Sequence, residues 1–275
     1  MASSEEEKRV AYCKEHNVHH LFELLASRLL VERPANPFDY LRELLVNVEK
    51  SEKKKAHDPT LIPSVEGSDG KPLRKLTLGT FGINNAGKTT IISALGGCIE
   101  MNHVPTVGFS PSRFQMEKFD LCVFDLGGGA NFRGIWGHYF HDCHGFMFVV
   151  DAAADDAIIQ ESLDVLRGMT QHKYARGKPL LVLANKKDLK SFRGVEVVPD
   201  EFLKEILQEG SLYRVVPSCG IEEDKELEKG VEWLLDVVMK DFDTLEELVQ
   251  RHTQEVKAEA KRKAEERLAA IRNSA

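Results

Sequence analysis

The sequence predicts an α/β fold in which helices cover both faces of a mostly parallel sheet. Over residues 73–243, short apolar segments alternate with helical ones, which is the order that parallel strands and their crossover helices require. A phosphate-loop motif joins the first of these strands to the first helix. We predict strands at 73–81, 119–124, 145–150, 179–184 and 212–216, and helices at 88–99, 157–170, 199–208 and 225–239.

The first 50 residues predict a helical hairpin. Leucines recur at helical spacing from Leu21 to Leu30, Pro34 and Pro37 interrupt the pattern, and apolar residues resume at Tyr40. A hairpin of this size is too small to bury a core alone, so we expect it to dimerise or to dock. A hairpin that folds back on its own α/β domain is the alternative.

The segments that flank the α/β domain differ from it in composition. Residues 51–72 combine a Glu-Lys-Lys-Lys run with prolines and Gly-Ser-Asp-Gly, which predicts a solvated, flexible linker. We interpret the lysines at 53–55 as part of this tether, with phosphate binding as the alternative. Residues 244–275 are mostly charged residues and Ala, which favours an exposed helix. Its first half either packs on the domain or belongs to an uncapped charged tail.

The composition restricts the class of partner. A net charge of -7 gives no reason to expect nucleic acid or a bare acidic membrane. The chain begins with an acidic polar segment, and no apolar stretch reaches membrane-spanning length. Ala2 excludes N-myristoylation and palmitoylation of Cys13 is left open, so no direct membrane anchor is evident. The five dispersed cysteines predict reduced thiols in a cytoplasmic protein.

Residues 82–89 have the form G-x-x-x-x-G-K-[ST] and lie between a predicted strand and a predicted helix, as this motif requires. Backbone N–H groups of such a loop face phosphates, and the helix N-terminus assists them. We expect Lys88 to reach the β- and γ-phosphates and Thr89 to ligate Mg²⁺. The residues assigned to nucleotide binding in this loop are Asn84, Asn85, Ala86, Gly87, Lys88, Thr89 and Thr90.

The N-K-x-D segment Asn185-Lys186-Lys187-Asp188 follows an apolar strand, and this position favours a guanine site over a plain surface turn. The carboxylate of Asp188 can accept two hydrogens from the guanine edge, whereas adenine presents a different pattern. We assign Asn185, Lys186 and Asp188 to guanine binding. Ser218 and Cys219 follow the last strand and are expected to pack beneath the base.

Asp125 and Thr106 complete a predicted Mg²⁺ site with Thr89. Asp125 ends a hydrophobic strand, as a Walker-B Asp does, and we expect it to hold Mg²⁺ through water. Thr106 lies between the phosphate loop and Asp125, where a switch residue closes on Mg²⁺ only when γ-phosphate is present. The N–H of Gly128 is expected to hydrogen-bond the γ-phosphate.

Gly129 occupies the position that carries the catalytic side chain in active GTPases. That side chain, usually a Gln after the second Gly of the D-x-G-G motif, orients the attacking water. Glycine has no side chain, and Asn131 is the only amide in the next three positions. We therefore assign no catalytic residue and expect a protein that binds GTP and GDP but hydrolyses GTP poorly.

With these motifs, residues 73–243 resemble the Arf and Arf-like branch of small GTPases, which share a P-loop fold. Within this branch, Gly129 and the stretch from Trp233 to Asp243 are similar to the ciliary subgroup, Arf-like thirteen. The motifs that carry the resemblance are Pro105-Thr106-Val107-Gly108-Phe109, Asp125-Leu126-Gly127-Gly128, Arg133-Gly134-Ile135-Trp136-Gly137-His138-Tyr139-Phe140 and Phe148-Val149-Val150-Asp151.

The resemblance implies a location in the cilium or flagellum and poor hydrolysis. It also implies guanine-nucleotide exchange activity toward a sister GTPase, Arf-like three, partly through a helix that would run here from about Val231 through the charged tail. Two residues depart from the family pattern: Asn84 replaces an Asp in the phosphate loop, and Cys219 replaces an Ala beneath the base.

The first 50 residues resemble the dimerisation and docking module of the regulatory subunits of cAMP-dependent protein kinase. The match is carried by the leucine stripe at 24–30 and by the segment from Val31 to Leu41. The resemblance implies a homodimeric four-helix bundle with a groove for an amphipathic helix of an axonemal protein.

Three hypotheses follow. The first is a hydrolysis-deficient, GTP-binding protein that is anchored by its N-terminal dimer and activates a sister Arf-like GTPase. The second is a slow GTPase that needs an activating protein. The third is an axonemal scaffold in which the nucleotide is structural.

Overall fold

The computed structural model describes Leu25, Leu29, residues 34–56, residues 73–98, Thr106, residues 109–116 and residues 118–273. Most of the first predicted hairpin helix, Cys13 and residues 57–72 lie outside these residues. The described helices are α1 (Pro37–Ala56), α2 (Lys88–Leu95), α3 (Asp156–Gln171), α4 (Asp200–Ile206), α5 (Lys225–Lys240) and α6 (Phe242–Asn273). Short 3₁₀ helices span Arg133–His138, Phe140–Asp142 and Val195–Val197.

Six strands form one sheet in the order β2-β3-β1-β4-β5-β6. The strands are β1 (Arg74–Phe81), β2 (Phe109–Gln115), β3 (Phe119–Leu126), β4 (Gly145–Asp151), β5 (Leu180–Asn185) and β6 (Tyr213–Ser218). Among the strand pairs that the structure describes, only β2–β3 is antiparallel, and the others are parallel. The mixed α/β fold and the mostly parallel sheet predicted from the sequence are confirmed.

The central strands are apolar because helices cover both of their faces. Every residue of β5 is buried, and β4 is buried up to Asp151. Successive side chains of a strand point to opposite faces, so Phe146 and Phe148 join one core cluster while Met147 and Val149 join the other.

Strand β2 was absent from the sequence prediction. It lies at the sheet edge, where residue Phe109 pairs with Leu126 and Gln115 pairs with Asp120. Its sequence FSPSRFQ contains polar residues and a proline, which are features of an edge strand and hide it from a search for apolar runs.

Helix α1 crosses the predicted linker boundary at residue 50 and ends at Ala56. The six extra residues are mainly Glu, Lys and Ala, which are strong helix formers. The helix begins at Pro37, within the predicted proline break and three residues before the pattern resumes at Tyr40. The Asn36 side-chain oxygen caps it, because it accepts the backbone N–H groups of Phe38 and Asp39 at 3.1 and 3.3 Å. The prediction of a flexible linker is therefore corrected for residues 51–56.

The C-terminal helix is not continuous with the last helix of the domain. Helix α5 ends at Lys240 and α6 begins at Phe242, so the predicted single helix from Val231 onward is interrupted at Asp241. The first half of α6 packs on the domain through the buried side chains of Phe242, Leu245 and His252. Among the described residues, no helix has both the length and the apolar character needed to cross a membrane.

Candidate nucleotide-binding site

The phosphate loop turns sharply between β1 and α2. Gly82, Asn85 and Gly87 all have positive φ angles, of 141°, 62° and 97°. A Cβ on Gly82 would lie 2.3 Å from the carbonyl oxygen of Val149, so glycine is required there. Asn84 and Asn85 are exposed at the loop tip, while Ala86 is buried. The loop therefore presents backbone in front of the N-terminus of α2.

Lys88 points into this loop. Its ammonium group donates to the carbonyl oxygen of Ile83 at 2.8 Å. Burial lowers the pKa of Lys88 to about 8, and the nearby carboxylate of Asp125 partly opposes this change. A bound phosphate would supply the negative charge that a buried ammonium group needs.

Three separate segments bring the predicted Mg²⁺ residues together. The hydroxyls of Thr89 and Thr106 donate to the same carboxylate oxygen of Asp125, at 2.7 and 2.9 Å. The second carboxylate oxygen of Asp125 is buried and has no hydrogen-bond partner. Hard cations prefer such oxygen donors, so these residues fit Mg²⁺.

The cluster contains a single carboxylate, and no group of three or more His, Cys, Asp or Glu that fits a metal occurs in the part of the chain that the structure describes. A site with one carboxylate is typical of Mg²⁺ that also binds phosphate oxygens and water. The donor set therefore suits a metal that arrives with a nucleotide.

The loop after β3 lies directly against the phosphate loop. A Cβ on Gly128 would lie 2.4 Å from the backbone of Ile83 and 2.4 Å from the Lys88 nitrogen. Two side chains hold this loop by its carbonyl oxygens: Trp136 donates to Gly127 at 3.0 Å and Arg133 donates to Gly128 at 2.9 Å. Gly128 is thus placed where its backbone can face a γ-phosphate.

Gly129 lies at the same loop and brings no side chain to it. A Cβ there would meet only the ring of Phe132, at 3.2 Å, and the φ angle is ordinary. The amide of Asn131 belongs to an exposed residue. The position of the water-orienting Gln of active GTPases therefore carries no side chain, and the one amide within residues 127–132, that of Asn131, lies two residues further on.

The predicted guanine residues meet at the ends of two adjacent strands. Asn185 and Ser218 are paired across β5 and β6, and the Ser218 hydroxyl donates to Asn185 Oδ1 at 3.4 Å. The Asn185 amide donates to the carbonyl oxygen of Ala86 at 2.8 Å, which joins this site to the phosphate loop. Thr90 on α2 lies against Gly220, which follows Cys219.

Asp188 and Cys219 also meet, because the Cys219 thiol donates to Asp188 Oδ1 at 3.3 Å. Burial raises the pKa of Cys219 to about 11, and the hydrogen bond to Asp188 adds to this effect. The thiol therefore stays protonated at neutral pH and remains a donor to the carboxylate that is expected to read guanine.

Lys186 has a positive φ of 70° and forms an ion pair with Asp151 at 2.7 Å. Asp151 and Arg133 carry part of the resemblance, but no contact was predicted for them. Asp224, whose carboxylate joins two of the loops, was not predicted as a site residue. The one available signal was the position of Asp224 just before a predicted helix, where Asp is a favoured cap.

The chain is similar to proteins that are already known. Residues 62–238 match the model of the ADP-ribosylation factor family. The chain is 34% identical over 192 residues to ADP-ribosylation factor-like protein 13B of Chlamydomonas reinhardtii, covering 69% of this chain and 36% of that protein. It is 35% identical over 125 residues to the protein of that name in Caenorhabditis elegans, and this match covers 45% of this chain and 34% of that protein. The chain thus spans about a third of the length of these curated relatives.

A solved structure, the Arl6 BBS3 small GTPase of Trypanosoma brucei with the bound nucleotide analogue GppNp, is similar with a TM-score of 0.50 and 25% identity. The similarity covers 60% of this chain and 98% of that one. Residues 1–47 match a separate model, described as the N-terminal region of an inactive adenylate kinase. These matches confirm the resemblance to an Arf-like thirteen type of GTPase with an N-terminal docking module. The model of the ADP-ribosylation factor family matches more than half of the sequence, and the chain therefore belongs to that family.

Proposed function

We propose that this protein is a GTP-binding switch that hydrolyses GTP poorly and therefore keeps its GTP form for a long time. The observation that carries the proposal is the loop at 127–132, in which the backbone of Gly128 lies against the phosphate loop and Gly129 has no side chain to orient water. The groups expected to bind GTP and Mg²⁺ are meanwhile in contact, as the cluster of Thr89, Thr106 and Asp125 illustrates.

Single-turnover hydrolysis of GTP by the wild type and by Gly129→Gln tests this proposal. We expect wild-type hydrolysis well below about 10⁻⁴ s⁻¹, the intrinsic rate of Ras-type GTPases, and a faster rate in the variant. A Cβ atom at residue 129 needs only a small shift of the Phe132 ring. An ordinary wild-type rate would overturn the proposal and favour the second hypothesis, a slow GTPase that works with an activating protein.

Two variants control for the added volume. Gly129→Leu supplies a side chain of similar size without an amide, so hydrolysis should stay at the wild-type level. Gly134→Gln places the amide five residues away, where a Cβ meets nothing within 4 Å, and should also leave hydrolysis unchanged. Acceleration by Gly129→Leu would show that loop geometry, and not the missing amide, limits the reaction.

We further propose that the GTP form acts as an exchange factor for a sister Arf-like GTPase in ciliary traffic of lipidated proteins. The support is the resemblance to the Arf-like thirteen subgroup, together with helix α6, which packs on the domain through Leu245 and His252 and then extends beyond it. The test loads the sister GTPase with labelled GDP and adds this protein in its GTP or GDP form. Equal release with both forms and with buffer would contradict exchange activity and favour the scaffold hypothesis.

We also propose that the N-terminus forms a homodimer whose groove binds an amphipathic helix of an axonemal protein, which would place the protein in the cilium or flagellum. The support is the capped helix α1 with exposed Phe38, Leu45 and Val46, together with Leu25 and Leu29, which are half-buried. Sedimentation of the full chain should give a dimer, and Leu25→Asp with Leu29→Asp should give a monomer. A control change of the exposed Leu212 to Asp should leave the dimer intact.

A further inference from the structure

A buried carboxylate connects the two loops of the candidate guanine site. Asp224 lies just before α5, and its side chain has no solvent exposure. One of its oxygens accepts the ammonium group of Lys187 at 2.6 Å and the backbone N–H groups of Glu226 and Leu227 at 2.9 and 3.4 Å. The other oxygen accepts the backbone N–H of Cys219 at 2.7 Å.

These partners belong to different parts of the site. Lys187 lies between Lys186 and Asp188 in the N-K-x-D loop, and its backbone N–H donates to the carbonyl oxygen of Ser218 at 3.2 Å. Cys219 belongs to the loop after β6. Asp224 therefore ties both loops to the N-terminus of α5.

The electrostatics favour a charged pair. Burial alone would raise the pKa of Asp224, but the hydrogen bonds from Lys187 and from the backbone amides outweigh it and lower the pKa. Burial opposes the charge on Lys187 as well, and its bond to Asp224 still raises its pKa. Removing Lys187 would leave a buried carboxylate without its cation, which is strongly unfavourable.

We propose that the ion pair of Lys187 and Asp224 is a clasp that fixes the position of the N-K-x-D loop relative to the loop after β6. Both residues would then be positioning residues for retention of the nucleotide and for discrimination of its base. This inference rests on the proposed function, because it assumes that the site binds guanine nucleotides.

The test measures release of a fluorescent GDP from the full chain and the ratio of the dissociation constants for inosine diphosphate and GDP. Inosine lacks the 2-amino group that a well-placed Asp188 would accept. We expect Lys187→Ala to accelerate GDP release by about tenfold or more and to lower the ratio. Lys187→Arg keeps the cation and should restore much of both properties.

Asp224→Asn separates the clasp from helix capping, because Asn caps helices about as well as Asp. It should also accelerate GDP release, and the effect of combining it with Lys187→Ala should be less than the sum of the two single effects, since both changes disrupt the ion pair of Lys187 and Asp224. Lys187→Ala also removes a 3.3 Å contact with the exposed Glu226, which contributes little. Lys190→Ala is the control. Lys190 is an exposed residue of the same loop and does not donate to Asp224, so this variant should behave as the wild type.

The outcomes separate the two proposals. If the wild type fails to bind GDP, the proposed function is overturned. If it binds GDP but the Lys187 variant releases GDP and discriminates inosine as the wild type does, the clasp alone is overturned. A lower melting temperature with unchanged release and an unchanged ratio would make the pair merely structural and would also contradict the clasp. Because Lys187 is partly exposed, its variants test the proposal even if Asp224→Asn does not fold.

Discussion

The hydroxyl oxygens of Thr89 and Thr106 lie 2.7 Å apart, and both contact the same carboxylate oxygen of Asp125. Three short oxygen–oxygen contacts share only two hydroxyl protons, so one contact lacks a proton. A divalent cation bound between these oxygen atoms would offset the repulsion in the contact that lacks a proton. This cluster connects the phosphate loop, the segment around Thr106 and the end of β3.

We expect Thr106→Ala to weaken GTP binding by about tenfold, or about 1.4 kcal/mol, and to change GDP binding much less. The reason is that a switch hydroxyl engages Mg²⁺ only when the γ-phosphate is present. The measurement is the dissociation constant of each nucleotide with Mg²⁺ and with a chelator. Thr106→Ser keeps the hydroxyl and should resemble the wild type; equal losses for GTP and GDP would argue against a switch role.

The adjacent glycines Gly128 and Gly129, in the loop after β3, should respond differently to replacement by alanine. In Gly128→Ala the new Cβ would strike the backbone of Ile83 at 2.4 Å, whereas in Gly129→Ala it would meet only the Phe132 ring at 3.2 Å. Overpacking of this kind costs about 1–3 kcal/mol, so Gly128→Ala should lower both GTP affinity and the free energy of unfolding. Nucleotide titration and urea unfolding check this, and tolerance of Gly128→Ala would contradict the close approach of the two loops.

The docking of α6 should contribute to the stability of the domain. Leu245 is 3% exposed and joins the cluster that includes Leu234 and Val238. Leu245→Ala should lower the free energy of unfolding by about 2–5 kcal/mol. Thr244→Ala, one residue earlier on an exposed face, should change it by no more than about 0.5 kcal/mol. Similar unfolding curves for both variants would mean that α6 is loosely attached.

Protonation of His252 should destabilise the fold at low pH. This buried imidazole packs on the ring of Tyr174, and burial together with nearby Lys178 lowers its pKa from 6.5 to about 4. The unfolded chain therefore binds the proton more tightly than the folded chain does. The contribution of His252 to the free energy of unfolding is complete above pH 6.5 and declines as the pH falls from 6.5 to 4.

Urea unfolding at several pH values measures this decline. His252→Phe, an aromatic of similar size that binds no proton, should flatten the dependence. His144 and His172 also have lowered pKa values, so part of the slope should remain. A slope that His252→Phe does not reduce would contradict the assignment.

Strands with continuous apolar runs were predictable from the sequence, and β4 and β5 lie within one residue of their predicted bounds. Strand β2 was not predictable from the sequence, because it lacks a continuous apolar run and is a strand only through its pairing with β3. Helix α2 ends at Leu95 and not at residue 99, since Gly96 and Gly97 follow and Gly97 has a positive φ.

The phosphate-loop motif, N-K-x-D and the glycine at 129 were determined by the sequence alone, because each depends on residue types at short spacing. The tertiary structure decided which distant groups meet. It joined Thr106 to Asp125 and Lys187 to Asp224. The first contact arises because β2 runs antiparallel to β3, so the start of β2 lies beside the carboxyl end of β3. The second arises because the parallel strands β5 and β6 deliver their carboxyl ends to the same edge of the sheet. The order of the strands in the sheet does not follow their order in the chain. Local spacing carries no record of that order, so only the folded chain reveals it.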